Sequence, residues 1–252
     1  MSDQALFSVK NLTKIFPGIA ALDGIDLDIR EGESLLVAGS NGSGKTVFMK
    51  IIAGLLDPSG GIVLFRGKPL DADADALRTS VGLVFQDADA QLIGETVAED
   101  TAFGPKNLGL SKTETAERVR TALAAVGLED KTDYLPRALS GGEKRRLAVA
   151  GVLAMGCETV IMDEPFANLD WPGVTQVLHI IQKLKLSGKT VIILTHELEK
   201  VLALADRLVI LHRGRVRDDG EPAAVLGRLK PEYGVRDPRR DYRNIGDCLW
   251  LD

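Results

Sequence analysis

The 252-residue sequence predicts an α/β fold built on a parallel core sheet. Three observations carry this reading. Short runs rich in β-branched residues alternate with segments of helical hydrophobic period. Four of the runs, Ser34–Ala38, 81–85, 159–162 and 191–194, are apolar over consecutive positions, as strands buried on both faces are. A glycine-rich loop joins the first of them to a helical segment.

Taken in order, candidate strands fall at 6–9, 25–29, Ser34–Ala38, 62–65, 81–85, 159–162, 191–194 and 208–211. The first ~30 residues and 60–65 read as an N-terminal antiparallel β subdomain. Helices are expected at 44–53 and 140–155, the second almost wholly apolar in its later half and so buried. Ala116, Val119, Leu123 and Val126 keep a helical period, and Val174, Val177, Leu178, Ile181 and Leu184 keep it more strongly. The stretch after residue 86 lacks a strand pattern and turns at Gly104-Pro105 and Leu135-Pro136. It reads as a helical subdomain, about 87–150, inserted into a sheet domain that spans 1–226. Residues 227–252 carry mixed charge with Pro231 and Pro238, and read as a short surface extension.

Composition narrows the classes. The chain is 45% hydrophobic and 27% charged, which is ordinary for a globular protein and excludes disorder. Its net charge of −5, from 31 Lys+Arg against 36 Asp+Glu, argues against a general nucleic-acid binder. Cys157 and Cys248, the two cysteines, suggest neither a disulfide framework nor a cysteine-rich zinc site, and fit a reducing compartment. The longest run without a polar residue, 147–157, is 11 residues, against the ~20 that a spanning helix needs. The N-terminus shows no secretory signal pattern. Any membrane attachment is therefore expected to come from a partner.

The sharpest feature is Gly39-Ser40-Asn41-Gly42-Ser43-Gly44-Lys45-Thr46, which meets G-x-x-x-x-G-K-[ST] at every fixed position between a strand and a helix. Glycines let the backbone curl so that N–H groups point inward at phosphate oxygens. The helix start adds its positive dipole end. Lys45 is then placed for the β- and γ-phosphates, and the Thr46 hydroxyl for Mg²⁺. A dinucleotide loop would need glycine at 47, where the chain has Val47. The motif alone says nucleoside triphosphate, and kinases, GTPases and ATPases all share it.

Two further groups narrow the chemistry. The strand 159–162 runs into Asp163-Glu164, at the strand end where parallel sheets bind ligands. Asp163 suits Mg²⁺ held through water. Glu164 suits a base that polarises the attacking water, help worth ~10²–10⁴ in rate; a plain acidic turn is the alternative. Leu139-Ser140-Gly141-Gly142-Glu143 opens the buried helix and makes a second anion-binding helix start, although Ser-x-x-Glu is equally a capping box.

Together these motifs resemble the ATP-binding cassette of ABC transporters, over about residues 6 to 226. GSNGSGKT is similar to the Walker A loop, VIMDE to the Walker B strand and LSGGE to the family signature, which most often ends in Gln. Phe85-Gln86 resembles the Q-loop, Asn168-Leu169-Asp170 the D-loop and Thr195-His196 the switch histidine. The resemblance implies ATP and Mg²⁺ as cofactors. Gln86 would sense the Mg²⁺ and the attacking water, and His196 would contact the γ-phosphate and hold Glu164 in line. Phe16 would stack on adenine, although a core Phe before a turn looks the same. Ser140, Gly141, Gly142 and Glu143 would bind the ATP held by a second subunit, and Asp170 would lie in the dimer interface. His179 and His212 read as surface histidines. Two departures stand out: Val47 where Thr or Ser is frequent, and Glu143 in place of Gln.

The run FQDADAQLIGETVAEDTAFGPKNLGL is similar to the energy-coupling factor branch, whose ATPases drive uptake of cobalt, nickel or vitamins. That resemblance implies a peripheral ATPase on the cytoplasmic face of the membrane. It would act as a homodimer, or as a heterodimer with a related ATPase, bound to integral-membrane scaffold and substrate-binding subunits. A soluble cassette without a transport role and a P-loop kinase are the alternatives.

Overall fold

The structure, a computed structural model, describes residues 5–239. β1 (Ala5–Phe16) and β2 (Ile19–Arg30) form an antiparallel hairpin that turns at Gly18, φ 79°. β3 (Ser34–Ala38) leads through the glycine-rich loop into α1 (Lys45–Ile52). β4 (Gly60–Phe65), β5 (Lys68–Pro69) and α2 (Ala74–Ser80) follow, then β6 (Val81–Val84). Three helices come next: α3 (Val97–Asn107), α4 (Lys112–Val126) and α5 (Gly141–Met155). The chain returns with β7 (Thr159–Asp163), α6 (Trp171–Leu186), β8 (Thr190–Thr195), β9 (Arg207–His212) and β10 (Arg215–Gly220).

The strands form two sheets. The order β2-β1-β4-β5 is antiparallel throughout. The order β10-β9-β3-β8-β7-β6 is parallel from β9 to β6, with β10 antiparallel at one edge. The α/β class with both sheets is thus as the sequence predicts.

The consecutive apolar runs have the expected cause. Leu36, Ala38, Val160, Met162 and Ile193 face the core with Leu147 of α5 and Val177 and Ile181 of α6. Their neighbours Leu35, Val37, Ile161 and Ile192 face Phe48, Met49 and Ile52 of α1 and Phe7 and Val9 of the small sheet. Each such buried side chain contributes ~1.5–3 kcal/mol of transfer free energy. The helices after β6 start sharply. Thr96, Ser111 and Ser140 each form a capping box, with Glu99, Glu114 and Glu143, and an N-cap of this kind is worth ~1 kcal/mol.

The structure departs from the sequence reading in four places. Gly104-Pro105, read as a turn, lies inside α3, close enough to its C-terminal end that the helix continues through the proline to Asn107. β10, RVRDDG, carries no apolar run. As an edge strand it is held by ion pairs, Arg207–Asp219 at 2.5 Å and Arg228–Asp218 at 2.7 Å. The region past 227 does not begin as a surface extension. Tyr233 and Val235 are 7% exposed and belong to the core. His212 is likewise not a plain surface histidine: its ring lies 5.9 Å from that of Tyr233, and its Nδ1 is buried. His179 is exposed, as expected. The remainder of the extension, 240–252 with Cys248, lies outside the described residues. Cys157 is buried, and desolvation pushes its thiol up to about 11.

Candidate functional site

The glycine-rich loop is shaped by space as much as by torsion. A Cβ on Gly39 would lie 2.2 Å from the Leu211 carbonyl oxygen and 2.6 Å from Ser43 Oγ, so no side chain fits there. Gly44 sits at φ 107°, and a Cβ on it would meet the Ala21 carbonyl at 2.6 Å. Gly44 is also the N-cap of α1. It provides no side-chain cap, and the first turn holds no acidic residue. The first N–H groups of α1 are thus left for an anion. Asn41 and Gly42 are exposed, while Ser43 is buried with its Oγ lacking a partner.

A cavity of about 570 Å³ opens over this loop. It is lined by Asn41, Gly42, Ser43, Gly44, Lys45, Thr46 and Val47, by Gln86 and Glu164, and by Phe16 with Ile19 to Ala21 at the tip of the first hairpin. Phe16 is 38% exposed, and Lys14 Nζ lies 5.3 Å from its ring centroid. The wall is a flat aromatic surface at one end and a phosphate cradle at the other.

The two carboxylates at the end of β7 have different partners, and Glu164 lines this cavity. Asp163 Oδ2 accepts a 2.7 Å hydrogen bond from Thr46 Oγ1. Its Oδ1 is buried without a partner, and burial pushes its carboxyl above the usual range. Glu164 takes a left-handed φ of 47°, a conformation that costs ~1–3 kcal/mol in a non-glycine residue. That turn swings its side chain back among Lys45, Thr195 and His196. Glu164 Oε1 lies 3.4 Å from Lys45 Nζ and 3.0 Å from His196 Nδ1, and Oε2 accepts from Thr195 Oγ1 at 2.8 Å. Lys45 Nζ also donates to the carbonyls of Gly39, at 2.6 Å, and Ser40, at 3.3 Å. The lysine is therefore fully occupied by the protein's own oxygens.

Two residues to which the sequence assigned no site role complete the arrangement. Arg145, 4% exposed, donates to the Glu164 carbonyl at 3.0 Å and the Gln86 carbonyl at 2.5 Å. It ties the ends of β6 and β7 together from α5. Thr195, fully buried, orients Glu164 and also accepts from Glu197 N at 3.1 Å. Arg145 lies in the charged run 143–146 that opens α5, and nothing in that run marks it as the buried one; Thr195 stands beside His196 in the sequence motif without a role of its own.

Gln86 lines the nucleotide cavity and also a neighbouring one of about 290 Å³ with Gly141, Arg145 and Asn168. The signature residues stand outside the nucleotide cavity. Ser140 caps α5, and Glu143 closes the box onto Ser140 N at 2.9 Å. A Cβ on Gly141 would meet nothing within 4 Å, and one on Gly142 would make only an ordinary 3.5 Å contact with Leu169. The chain's own packing requires neither glycine. Asp170 caps α6 by accepting from Gly173 N at 3.0 Å, next to Trp171, which is 82% exposed.

Comparison with known proteins agrees with this geometry. The sequence profile of the ABC transporter family matches residues 22–167. The cobalt import ATP-binding protein CbiO of Rhodobacter capsulatus is 44% identical over 92% of this chain and 85% of its own length. The energy-coupling factor transporter ATP-binding protein EcfA of Methanocaldococcus jannaschii is 41% identical over 89% of this chain and 82% of its own. Among solved structures, the ATP-binding cassette MJ0796, a dimer in a post-hydrolysis state bound to ADP and Pi, superposes with TM-score 0.77. It is 30% identical over 86% of this chain and 98% of its own. The chain belongs to the ABC transporter family and is its ATP-binding, ATP-hydrolysing component.

The segment anchored by the buried Tyr233 and Val235 touches this site. Gly234, φ 66°, lies so close to the loop that a Cβ would be 2.9 Å from Ser40 Cβ. Gly127 has the same φ with nothing within 4 Å. Alanine at either position incurs the left-handed cost of ~1 kcal/mol, but only Gly234→Ala presses on the residue whose carbonyl holds Lys45. Gly234→Ala is expected to weaken ATP binding about tenfold, equivalent to ~1.4 kcal/mol, while Gly127→Ala leaves it unchanged. Titration calorimetry with ATP checks both.

Proposed function

We propose that this chain is the ATPase subunit of an energy-coupling factor importer of a metal ion or vitamin, working as an ATP-sandwich dimer. The observation that carries the dimer is the signature. Its helix N-terminus and two sterically unrequired glycines lie outside the chain's own nucleotide cavity. Each subunit binds one ATP in its loop and covers the other's with Ser140, Gly141 and Gly142, with Asp170 at the seam. Two identical subunits make two complete sites; a related ATPase as the second subunit would do the same.

ATP enters with adenine on Phe16 and phosphates in the loop. Lys45 then exchanges the carbonyls of Gly39 and Ser40 and the Glu164 carboxylate for phosphate oxygens. The exchange frees Glu164, held by Thr195 and His196, to take a proton from water in line with the γ-phosphate. Val47 lines the cavity without a hydroxyl, so its N–H alone serves the α-phosphate. The donor set suits Mg²⁺: the Thr46 hydroxyl, the unpartnered Asp163 Oδ1 acting through water, and Gln86 alongside. When bound with ATP, the ion neutralises charge on the β- and γ-oxygens.

Membrane attachment is borrowed in this reading. Among the described residues no helix is long and apolar enough to cross a membrane. Ile93, Phe103, Tyr134 and Leu135 are 60%, 50%, 51% and 42% exposed, all within the inserted helical region. A cavity of about 490 Å³ there, just past the Q-loop, is lined by Leu92, Gly94, Leu135 and Pro136 together with the charged Asp89, Glu95 and Arg137. This face suits a helix of an integral-membrane scaffold on the cytoplasmic side, with the solute chosen by a separate substrate-binding subunit. A soluble cassette gives no use to these exposed apolar side chains, and a kinase gives none to LSGGE.

Four outcomes test the reading. Glu164→Gln should keep ATP binding, lower hydrolysis at least about 100-fold, and dimerise with ATP on size exclusion; a variant that stays monomeric sinks the sandwich. Purification from detergent-solubilised membranes should recover a polytopic membrane protein with the chain. Replacing Ile93 and Phe103 with Asp should lose it while ATPase activity persists. Asp163 is held above its ordinary pKa by burial, so its charge opposes folding at neutral pH, and protonation on lowering the pH relieves that cost. Asp163→Asn should therefore raise the melting temperature of the nucleotide-free protein and abolish the additional stabilisation by Mg²⁺ with ATP.

A further inference from the structure

The signature of this chain ends in Glu143, placing a carboxylate in the first turn of α5, the helix start that the proposed sandwich turns toward the second subunit's γ-phosphate. An acid there favours the helix and opposes an incoming phosphate. Both of its oxygens are engaged. Oε2 accepts from Ser140 N at 2.9 Å, and Oε1 accepts from Lys131 Nζ at 2.5 Å. Glu143 is 18% exposed and Lys131 27%. The lysine is itself held. Its carbonyl accepts from Tyr134 N at 2.9 Å, and its Nζ lies 5.6 Å from the Tyr134 ring centroid. The carbonyls of Thr132 and Tyr134 in turn accept from Ala98 N and Val97 N at the start of α3, each at 2.9 Å. Lys131 thus reaches Glu143 from an anchored turn.

We propose that Lys131 is a positioning residue of the signature. Its ion pair neutralises Glu143 and fixes the Ser140 cap, so that the second subunit's γ-phosphate meets hydroxyl and N–H donors without an opposing free carboxylate. The inference rests on the ATP-sandwich reading above. The shared hydrogen bond holds the Lys131 ammonium above its ordinary pKa and the Glu143 carboxyl below its own, so both charges persist at neutral pH. The pair also accounts for the departure from Gln: Glu with Lys131 presents the same net charge as the amide.

The test uses the Glu164→Gln protein, in which ATP accumulates the dimer, followed by size exclusion across an ATP titration. Adding Lys131→Met should raise the ATP concentration for half-maximal dimerisation about tenfold, as expected for one uncompensated charge near a phosphate. Nucleotide affinity of the dilute monomer should not change, and the small fall in melting temperature expected from leaving Glu143 unpaired should likewise be recovered by Glu143→Gln. Lys131→Arg should restore the threshold, and so should Glu143→Gln on top of Lys131→Met, because it removes the charge that lacks a partner. An unchanged threshold in Lys131→Met, or no recovery on adding Glu143→Gln, overturns the inference while the sandwich stands. Failure of the Glu164→Gln parent to dimerise overturns both, and is seen before Lys131 is altered.

Discussion

The register of the parallel ladder governs everything at the site. β3 pairs Ala38 with Thr195 of β8, and β8 pairs Leu194 with Asp163 of β7. These pairings bring the exits of three strands side by side. The loop leaving Ala38 carries Lys45, the turn leaving Asp163 carries Glu164, and the exit of β8 carries Thr195 and His196. A slip of one residue would turn Asp163 and Thr195 to the opposite face of the sheet. Burial on both faces prevents the slip, since every residue of β3, β7 and β8 is buried.

The electrostatics of the site follow from that convergence. Lys45 and Glu164, each 6% exposed, are held 3.4 Å apart in a region that desolvates both. A buried pair of this kind is a weak net stabiliser, but removing one partner leaves a buried charge uncompensated. The lysine therefore acts as an internal counterion where phosphate would sit. In the proposed mechanism, nucleotide binding exchanges one set of oxygens for another, and the same exchange alters what Glu164 is bonded to. Arg145 ties the carbonyls beside Glu164 and Gln86 into one unit reaching from α5, the helix that the signature begins.

The helical region carries the signature at the start of α5. Its helices are closed by capping boxes at Thr96, Ser111 and Ser140, so their starts are set locally. The box at Ser140 has a further consequence, because its acid needs a cation and takes one from a turn twelve residues earlier. Gln91 shows the same economy. It accepts from Phe85 N at 3.0 Å and donates to the Leu83 carbonyl at 2.8 Å, closing the edge strand β6 with a side chain instead of a neighbouring strand.

The sequence by itself determined the phosphate loop, the paired carboxylates, the buried strands and the capping signature. Each depends on residues adjacent in the chain, where spacing alone dictates geometry. It did not reveal β10, whose pairing rests on Arg207 and Arg228 reaching Asp219 and Asp218 rather than on apolar period. Nor did it reveal the segment in which Tyr233 packs against His212 and Gly234 approaches Ser40. Only tertiary structure joined Lys45 to Glu164, Arg145 to Gln86 and Lys131 to Glu143. Those contacts join separate elements across the fold, and they form only once the ladder and the helix packing have set the distances.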